Sequence, residues 1–554
     1  MDKKTIIKFN ILAIICIIIF SFSLAPKTLQ NDTYYTIKIG EHIMQNGIDR
    51  VDPFSWHDLK YTYPHWLYDV CIYQIYSNFG MDGIYISTVV LSCLLGVLLY
   101  ITSSKVNKKP LFSFVITIGV MFLIQDYIAA RAQLVTFVLF VLEIFLVESF
   151  LETKKIRYVI LLMLDACLIA NMHAAVFYFF FILLMPYIGE YLIVILREWY
   201  PVHRLSIYEL KFRIRRLEKK QCKEEKLEKL KAKLAEEETK FEKFKANMQR
   251  RKENPYKVRL VKRNAVKWLI IIAILCFAMG LLTPLGDEPY THIFKLMHGT
   301  TTQNISEHQP LTLANHQAAI AVIVMLGILL VFTDTKISLK DGFMIGGLLV
   351  LTFMTRRQFS MLILIGGISY TKLLCDFAEK YDKNGIEDFT KLVVTWKGYI
   401  ITLLLVVLCS AVSYSKKIDD EYINSSSYPV EAADYILSEV ENGNLDLTKM
   451  KLYNDYNYGS YLLFRGIPVF IDSRADLYSP EFNEGVKIFS DYLDISGIAT
   501  WYENKFEEYG ITHAMTYANS KLKMLLSKDE NYKELYKDDH FIIYERLNNK
   551  WRNM

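Results

Sequence analysis

Long apolar runs are the feature of this 554-residue sequence that most restricts its possible folds. A helix that crosses a hydrocarbon core about 30 Å thick needs roughly 20 predominantly apolar residues. Hydrophobic residues make up 52% of the chain and aromatic residues 14%, which is more apolar than an ordinary soluble protein. We therefore predict an α-helical polytopic membrane protein with about eleven spans, at residues 5–24, 83–102, 111–127, 133–151, 158–171, 174–196, 266–285, 317–333, 341–354, 359–375 and 398–414.

The first run is also compatible with a secretory signal, because Lys3 and Lys4 precede it. Its apolar core is longer than that of a usual signal, and no small-x-small cleavage site follows it. We interpret it as an anchor that stays in the membrane.

Loop charges predict the orientation of the spans, since short loops rich in lysine and arginine stay in the cytoplasm. Lysine-bearing loops such as "SSKVNKKP", "ETKKIR" and "DTKISLK" fall at every second position between the runs. This alternation places the N-terminus on the cytoplasmic side of the cell membrane, and eleven spans then place the C-terminal tail outside. It also supports the two shortest runs, 158–171 and 341–354.

The chain divides into an N-terminal membrane part (1–203) with a first outer loop (25–82), an insertion (204–263), further membrane helices (264–414) and a tail (415–554). The insertion carries 22 Lys and Arg against 10 Asp and Glu, and its apolar residues recur near heptad spacing. This pattern predicts a long helix or a helical hairpin of the coiled-coil type on the cytoplasmic side. Its basic excess suits membrane lipids with anionic headgroups or a partner, and a solvated insertion without chemistry is the alternative.

The tail has the opposite charge balance, with 16 Lys and Arg against 24 Asp and Glu. Helix-like "PVEAADYILSEVENG" precedes strand-like "KLYN", and similar alternation continues to the hairpin-like "YKELYKDDHFIIYER". This order predicts a small C-terminal extracytoplasmic α/β domain. In it, Asp472, Arg474 and Asp476 lie close together, and they either contact an acceptor or form a structural salt-bridged turn.

Ionisable residues gather in the turns that we predict to lie outside. Such groups cost at least about 2.5–3.5 kcal/mol each at the centre of a membrane, and they usually face a cavity or a partner. Arg356 and Arg357 also break the positive-inside pattern. Because the planar guanidinium suits phosphate oxygens, we predict an anion site near the outer leaflet, with a structural pairing of Arg357 to Asp126 or Glu307 as the alternative. The polar residues of these turns are Asp126, Arg131, Asn171, His173, Glu307, His308, Arg356 and Arg357.

Motifs of several other function classes are missing from the sequence. Ten of the eleven histidines fall on the predicted outer side, but none has the H-x-x-x-H or H-E-x-x-H spacing of a zinc site. No P-loop, Rossmann glycine pattern, kinase motif or G-x-S-x-G elbow occurs either. Nothing resembles a nucleic-acid reader, so we expect no nucleic-acid partner.

The first outer loop begins with an acid, Asp32, at the outer end of the first span. Tyr35, Ile39 and Ile43 follow it on one helical face, and a second amphipathic segment begins at Trp66. Amphipathic helices with aromatic residues at headgroup level are typical of the membrane interface. The loop therefore predicts two helices lying on the bilayer.

An acid at this place, two amphipathic helices in the first loop and many spans resemble the GT-C superfamily of membrane glycosyltransferases, which includes protein mannosyltransferases. "NDTYYTIKIGEHIMQNGIDRVDPFSW" and the following "HWL" resemble bacterial family 39-like multispanning proteins, which carry D-x-W-W-H-L-x-x-G-x-x-I, then D-P-F-S, then W-L. Further similar stretches are "ARAQLVTF", "ANMHAA", "ISEHQP" and, in the tail, "YNDYNYGSYLLFRGIPVFIDSRADLY". The family's aromatic pair is Tyr34-Tyr35 here, and its following histidine is Thr36. Protein mannosyltransferases show Asp-Glu where this chain has Asn31-Asp32.

This resemblance implies a glycosyltransferase that moves a sugar from a polyprenyl-phosphate donor to a glycan, lipid or protein acceptor at the outer face of the membrane, with Asp32 as catalytic base. A lipid-linked donor independently requires a membrane-level cavity, a cationic phosphate site and a carboxylate that accepts the hydroxyl proton. The single acid leaves a divalent cation open as cofactor. The candidate substrate-binding residues are Arg131, His173, Glu307, His308, Arg356, Arg357, Asp52, His65 and Trp66.

Other functions stay open on sequence alone. A non-enzymatic transporter or an assembly factor for surface polysaccharide is one alternative, although the chain shows no internal repeat of the kind common in transporters. A polysaccharide ligase or polymerase would use the same kind of donor. For Asp32 itself, the structural alternative is a cap of a helix that begins near Thr33.

Overall fold

The computed structural model of the protein describes residues 3–198, 201–219, 224–253, 257–299 and 304–547. Within these ranges six helices are long and apolar enough to cross a membrane, in agreement with a helical membrane protein. They are Lys4–Leu24, Trp66–Asn107, Ala132–Thr153, Ala174–Leu196, Arg356–Tyr381 and Trp396–Ser415. Shorter helices occupy the other predicted runs, so the count of eleven spans stays a prediction.

Helices follow the apolar runs because, inside a bilayer, backbone N–H and C=O groups have to be satisfied within their own segment. From the N-terminus to the end of the last apolar run, the helices are α1 (Lys3–Leu24), α2 (Asn31–Asn46), α3 (Trp66–Asn107), α4 (Pro110–Leu123), α5 (Ala132–Thr153), α6 (Ile156–Met172), α7 (Phe177–Glu198), α8 (Pro201–Glu218), α9 (Glu224–Glu253), α10 (Lys267–Met279), α11 (Glu288–His298), α12 (Gln317–Gly327), α13 (Leu339–Met354), α14 (Phe359–Tyr381), α15 (Lys383–Val393) and α16 (Trp396–Ser415). The span of α5 is 78% buried and that of α16 only 17%, so α5 lies at the centre and α16 at the periphery, against α1.

The predicted cytoplasmic insertion forms a helical hairpin in its described part, in which α8 packs against α9. Ion pairs join the two helices at Lys211–Glu238 (2.8 Å) and Lys231–Glu218 (3.3 Å). Beyond the hairpin, β1 (Val258–Arg259) pairs in parallel with β2 (Ile337–Ser338). The hairpin was one of the two predicted forms, while its coiled-coil character stays a prediction.

Two helices of the first outer loop, α2 and α3, pack closely against each other. A Cβ atom at Gly40 would collide with the backbone of Asp69, so this contact requires glycine. Helix α3 continues from the loop into the predicted span through a kink at Gly80, whose φ of 62° is strained for other residues. The second amphipathic segment and the span after it are therefore one bent element.

The tail contains a four-stranded mixed sheet in the order β3 (Leu452–Tyr453), β4 (His513–Tyr517), β6 (Phe541–Arg546) and β5 (Tyr532–Lys537). Strand β3 is parallel to β4, and the other neighbours are antiparallel. The predicted terminal hairpin is present as β5 and β6. The elements of the tail are α17 (Val430–Glu441), β3 (Leu452–Tyr453), α18 (Tyr456–Phe464), α19 (Ile488–Gly497), α20 (Tyr502–Tyr509), β4 (His513–Tyr517), α21 (Lys521–Leu526), β5 (Tyr532–Lys537) and β6 (Phe541–Arg546).

The tail and the first outer loop share one hydrophobic core. Tyr34 of α2 is fully buried, with its ring centroid 5.0 Å from that of Tyr428 and 5.2 Å from that of Tyr461. Helix α18 packs along α2, and Ile39 is fully buried. The prediction that α2 lies with its apolar face on the bilayer is therefore wrong, because Tyr35, Ile39 and Ile43 are buried in the core that α2 shares with α3 and the tail.

Candidate functional site

A cavity of about 900 Å³ lies where the membrane helices, the first outer loop and the tail meet. Its membrane-side lining comes from the turns between α4 and α5, between α6 and α7 and between α13 and α14, all at the same end of the helices. The structure brings eight of the ten predicted site residues together here: Asp32, His65, Arg131, His173, Glu307, His308, Arg356 and Arg357.

The other two predicted residues, Asp52 and Trp66, are not among those that line the cavity. Asp52 is buried and forms an ion pair with Arg474 at 2.8 Å. The indole N–H of Trp66 donates to the side-chain oxygen of Asn171 at 3.1 Å. Both side chains thus hold the walls of the site together by contacts with protein groups.

Asp32 does not cap its helix. Helix α2 begins at Asn31 with Gln30 as its N-cap, so the carboxylate of Asp32 lies within the first turn, where the helix dipole favours a negative charge. The carboxylate instead forms an ion pair with the guanidinium of Arg131, which also lies 3.6 Å from a carboxylate oxygen of Glu307. The capping interpretation is therefore wrong, and the acid faces a cation inside the cavity.

Electrostatics keep Arg131 charged. Its burial lowers the pKa, but the carboxylates of Asp32 and Glu307 outweigh this and raise the pKa of Arg131 above its ordinary value. One guanidinium therefore bridges two acids.

Arg357 is held differently. Its guanidinium contacts the side-chain oxygen of Gln133 at 3.4 Å, and within the described ranges it has no carboxylate at ion-pair distance. Its backbone N–H donates to the carbonyl of Glu307 at 3.0 Å, and that of Arg356 to the carbonyl of Gln309 at 2.9 Å, which fixes this turn against the loop before α12. The predicted pairing of Arg357 with Asp126 or Glu307 does not occur there.

Two histidines of the cavity are uncharged. Burial lowers the pKa of His173, and the positive charge of Arg357 lowers it further; the same two causes lower the pKa of His308. His173 Nδ1 lies 3.1 Å from the hydroxyl of Thr136, whereas His308 Nδ1 is buried with no hydrogen-bond partner in the described part of the chain. Near neutral pH these two rings therefore bring ring nitrogens and no charge to the cavity.

A hydrogen-bonded chain that sequence reasoning missed ends in the cavity. The carboxylate of Asp69 lies 2.8 Å from His65 Nδ1, and His65 Nε2 lies 3.3 Å from the hydroxyl of Tyr35. Burial raises the pKa of Tyr35 well above its ordinary value, and the nearby charge of Asp32 adds to this, so the phenol stays protonated. In the sequence, only the i, i+4 spacing of His65 and Asp69 indicates this series of hydrogen bonds.

The tail forms the opposite wall of the cavity. Asp472 and Arg474 form the salt-bridged turn that was the alternative to acceptor contact, at 2.6 Å, with Asp52 as a third member. Asp476 instead lies 3.7 Å from His292 of α11. The tail residues Tyr456, Asn457, Ser473, Arg474, Asp476, Phe482, Phe489 and Tyr492 line the cavity.

The donor set does not suit a tightly held metal ion. Among the residues that the structure describes, no group of three or more His, Cys, Asp or Glu side chains is placed to hold one. Among the acids that line the cavity, Asp32 is paired with an arginine.

No family model matches this chain, and no curated protein is similar to it. The resemblance to GT-C glycosyltransferases accordingly depends on the motifs quoted above.

Proposed function

We propose that this protein is a glycosyltransferase of the cell membrane that moves a sugar from a polyprenyl-phosphate donor to an acceptor at the outer face. The observation that supports this proposal best is the meeting of one carboxylate, Asp32, with the guanidinium groups of Arg131 and Arg357 in a single large cavity at the ends of membrane helices. A lipid-linked donor reaches such a site from the membrane, and an acceptor reaches it from the water side.

The pairing of Asp32 with Arg131 gives the reaction an order. The donor phosphate, a diester with one negative charge, binds Arg357 and competes with Asp32 for Arg131, because phosphate oxygens accept from the planar guanidinium as carboxylate oxygens do. Asp32 released in this way becomes free to accept a proton. The donor thus binds first and prepares the base.

The transfer step is a substitution at the anomeric carbon of the sugar. The acceptor hydroxyl attacks the anomeric carbon of the sugar while the bond from that carbon to the phosphate oxygen breaks, and Asp32 takes the hydroxyl proton. The electron pair of the broken bond stays on the polyprenyl phosphate, where Arg131 and Arg357 stabilise the added charge. His65, whose Nδ1–H donates to Asp69, accepts a hydrogen bond from the Tyr35 hydroxyl at Nε2 and so orients the phenol oxygen as an acceptor in the same cavity.

Asp32→Asn tests the proposal. The amide keeps the shape of the side chain but accepts no proton, so turnover with a polyprenyl-phosphate sugar should fall by about 10²–10⁴, which corresponds to roughly 3–5 kcal/mol of barrier. Donor binding should be retained or tightened, because Arg131 loses its competing carboxylate. The measurement is transfer of radiolabelled sugar by the purified protein, with donor binding followed separately.

Glu41→Gln is the matched control for this variant. Glu41 is an acid of the same helix α2, paired with Lys38 at 2.7 Å, and it does not line the cavity. A part-exposed pair of this kind contributes little to stability, so the control should retain full turnover. Normal turnover of Asp32→Asn would refute the catalytic role. The length of the product in the same assay distinguishes transfer of a single sugar from polymerisation.

One observation favours a transporter as the second candidate. Glu143 of α5 and Asp165 of α6 are 0% and 1% exposed, and none of their four carboxylate oxygens has a hydrogen-bond partner in the described residues. Unpaired acids inside a membrane often mark ion pathways. If proteoliposomes showed solute flux that Glu143→Gln abolishes, while no sugar transfer was detected, the transporter would replace the glycosyltransferase.

A further inference from the structure

The hairpin of α8 and α9 has an apolar stripe that the described chain leaves uncovered. Leu205, Tyr208 and Phe212 of α8 are 63%, 79% and 66% exposed. With 3.6 residues per turn, positions 205, 208 and 212 fall within about 60° of arc. They therefore form one continuous strip along two turns of the helix.

This stripe is separate from the contact that holds the hairpin together. Ile207 and Ile214 of α8 are only 9% and 7% exposed, and they lie on the opposite side of the helix, which packs against α9. Helix α8 thus has two apolar faces. One of them closes the hairpin, and the other faces away from it.

Basic residues follow the apolar stripe on the same side of α8, towards the C-terminal end of the helix. Arg215, Arg216 and Lys219 follow Phe212 on the same side of the helix, and all three are exposed. The two acids of α8 are already engaged, Glu209 with Arg213 at 2.5 Å and Glu218 with Lys231 of α9 at 3.3 Å. The face therefore combines apolar side chains with uncompensated cations.

The position of α8 along the chain places this face near the membrane. Helix α8 begins three residues after the end of α7, and three extended residues span at most about 10 Å. A helix that lay along the surface would keep the whole stripe at headgroup level. An upright helix would carry Phe212 about 16 Å from its start and leave the aromatic ring in water.

We propose that α8 is an interfacial helix that binds an anionic lipid surface at the end of α7. Leu205, Tyr208 and Phe212 insert among the headgroups, and Arg215, Arg216 and Lys219 contact lipid phosphates. The inference depends on the insertion of α7 in a membrane and not on the glycosyltransferase activity. It also gives the basic composition of the hairpin a physical role.

Helix α15 provides an internal comparison. Phe389 and Leu392 of α15 are 56% and 62% exposed, and Trp396, the first residue of α16, is 78% exposed, so exposed apolar side chains lie at the entry of α16 as well. The charges of α15 balance, with two lysines against one glutamate and one aspartate. These side chains should therefore enter the interface whatever the charge of the lipid.

The test uses the full-length protein in nanodiscs of phosphatidylcholine, with or without phosphatidylglycerol. An environment-sensitive fluorescent amino acid replaces Tyr208, Phe389 or, as the solvent control, Lys229 of α9, whose side chain is 75% exposed. Spin-labelled lipids should quench the probe at position 208 in anionic nanodiscs at least threefold more than the probe at position 229. The probe at position 389 should be quenched equally in both lipids.

Charge removal provides the second readout. Each basic side chain near an anionic surface changes the ratio of bound to free helix by roughly fivefold. The triple variant Arg215→Gln, Arg216→Gln, Lys219→Gln should therefore lower this ratio about 100-fold. High salt should also lower the ratio in the protein that keeps the three basic residues. The probe at position 389 should not respond.

Three results would contradict the proposal. Quenching at position 208 no greater than at position 229 in anionic nanodiscs would show that the stripe stays in water. Protection of position 208 that requires added cytosolic protein would make the face a protein-docking surface. Unchanged quenching in the triple variant would refute the contact with lipid phosphates.

Discussion

Two adjacent arginines of the cavity, Arg356 and Arg357, differ in a way that is testable at the scale of single residues. Arg357 is half-buried beside Gln133, whereas Arg356 is exposed at the rim. A charge-assisted hydrogen bond contributes about 1.5–3 kcal/mol. Arg357→Gln should therefore raise the donor KM roughly 10- to 100-fold, and Arg356→Gln less than threefold.

Steady-state kinetics with varied donor at saturating acceptor would measure this difference. Protein abundance and thermal stability of both variants provide the control for folding. An unchanged donor KM in Arg357→Gln would return this residue to a structural role, and equal effects of the two substitutions would argue against a donor site centred on Arg357.

His292 predicts a pH dependence of stability. Burial lowers its pKa, but the carboxylates of Asp476 and Glu288, at 3.7 Å and 3.2 Å, outweigh this and raise the pKa of His292 to about 9. A pKa raised above the ordinary 6.5 gives stability that is fully present below pH 6.5 and is lost as the pH rises through 9. The contribution is at most about 3 kcal/mol.

His292→Gln should therefore lower the melting temperature at pH 6, and the difference from wild type should disappear near pH 9.5–10. Thermal unfolding in detergent across this range is the measurement. A difference that is independent of pH would mean that the ring contributes by packing alone.

Sequence reasoning at this scale predicted which residues of the outer turns meet, but not how they pair. Charged residues in outer turns stand out locally because they are costly near a membrane. The partner of Asp32, Arg131, lies far away in the sequence, and nothing local indicates that pair. The chain from Asp69 through His65 to Tyr35 was missed because its last link joins two different helices.

At the scale of elements, a buried ionic network fixes the ends of several helices opposite the cavity. Lys340, at the start of α13, is 4% exposed and lies 2.7 Å from a carboxylate oxygen of Asp341 and 3.6 Å from one of Glu148 of α5. Glu148 also pairs with Arg263 at 2.7 Å. The network therefore joins α5, α13 and the segment before α10.

Lys340→Met should destabilise the protein by about 3–5 kcal/mol, because it leaves buried carboxylates without their cation. Lys391→Met is the matched control, since Lys391 pairs with Asp388 at 2.9 Å but both side chains are at least 73% exposed. That pair should contribute less than about 1 kcal/mol. Equal melting temperatures of the two variants would contradict the structural role of the network.

The positions of the helices were predictable from sequence, whereas their lengths and continuity were not. Apolar runs mark where a helix is needed, but Gly80 bends α3 without ending it, so a loop helix and a span became one element. The apolar face of α2 was recognised, yet the sequence does not distinguish lipid from protein as its cover. Tail residues supply that cover across several hundred positions of chain.

At the scale of the whole molecule, the shared core of the tail and the first outer loop restricts the topology. The two segments pack together, so they lie on the same side of the membrane, together with Asp32 and the cavity. The hairpin of α8 and α9 follows the other end of α7, so we predict that it lies on the opposite side. One measurement of sidedness therefore orients the entire site.

Cysteine labelling provides that measurement. In intact cells and a Cys71→Ser background, which removes an exposed native thiol of the first outer loop, a membrane-impermeant thiol reagent should label Ser426→Cys in the tail. It should not label Lys229→Cys in α9, nor native Cys222, which lies outside the described residues. Both added positions are exposed, so membrane sidedness alone decides their access. The reverse pattern, with position 229 labelled and position 426 protected, would put the cavity on the cytoplasmic side, and a donor presented at the outer leaflet would then not reach Asp32.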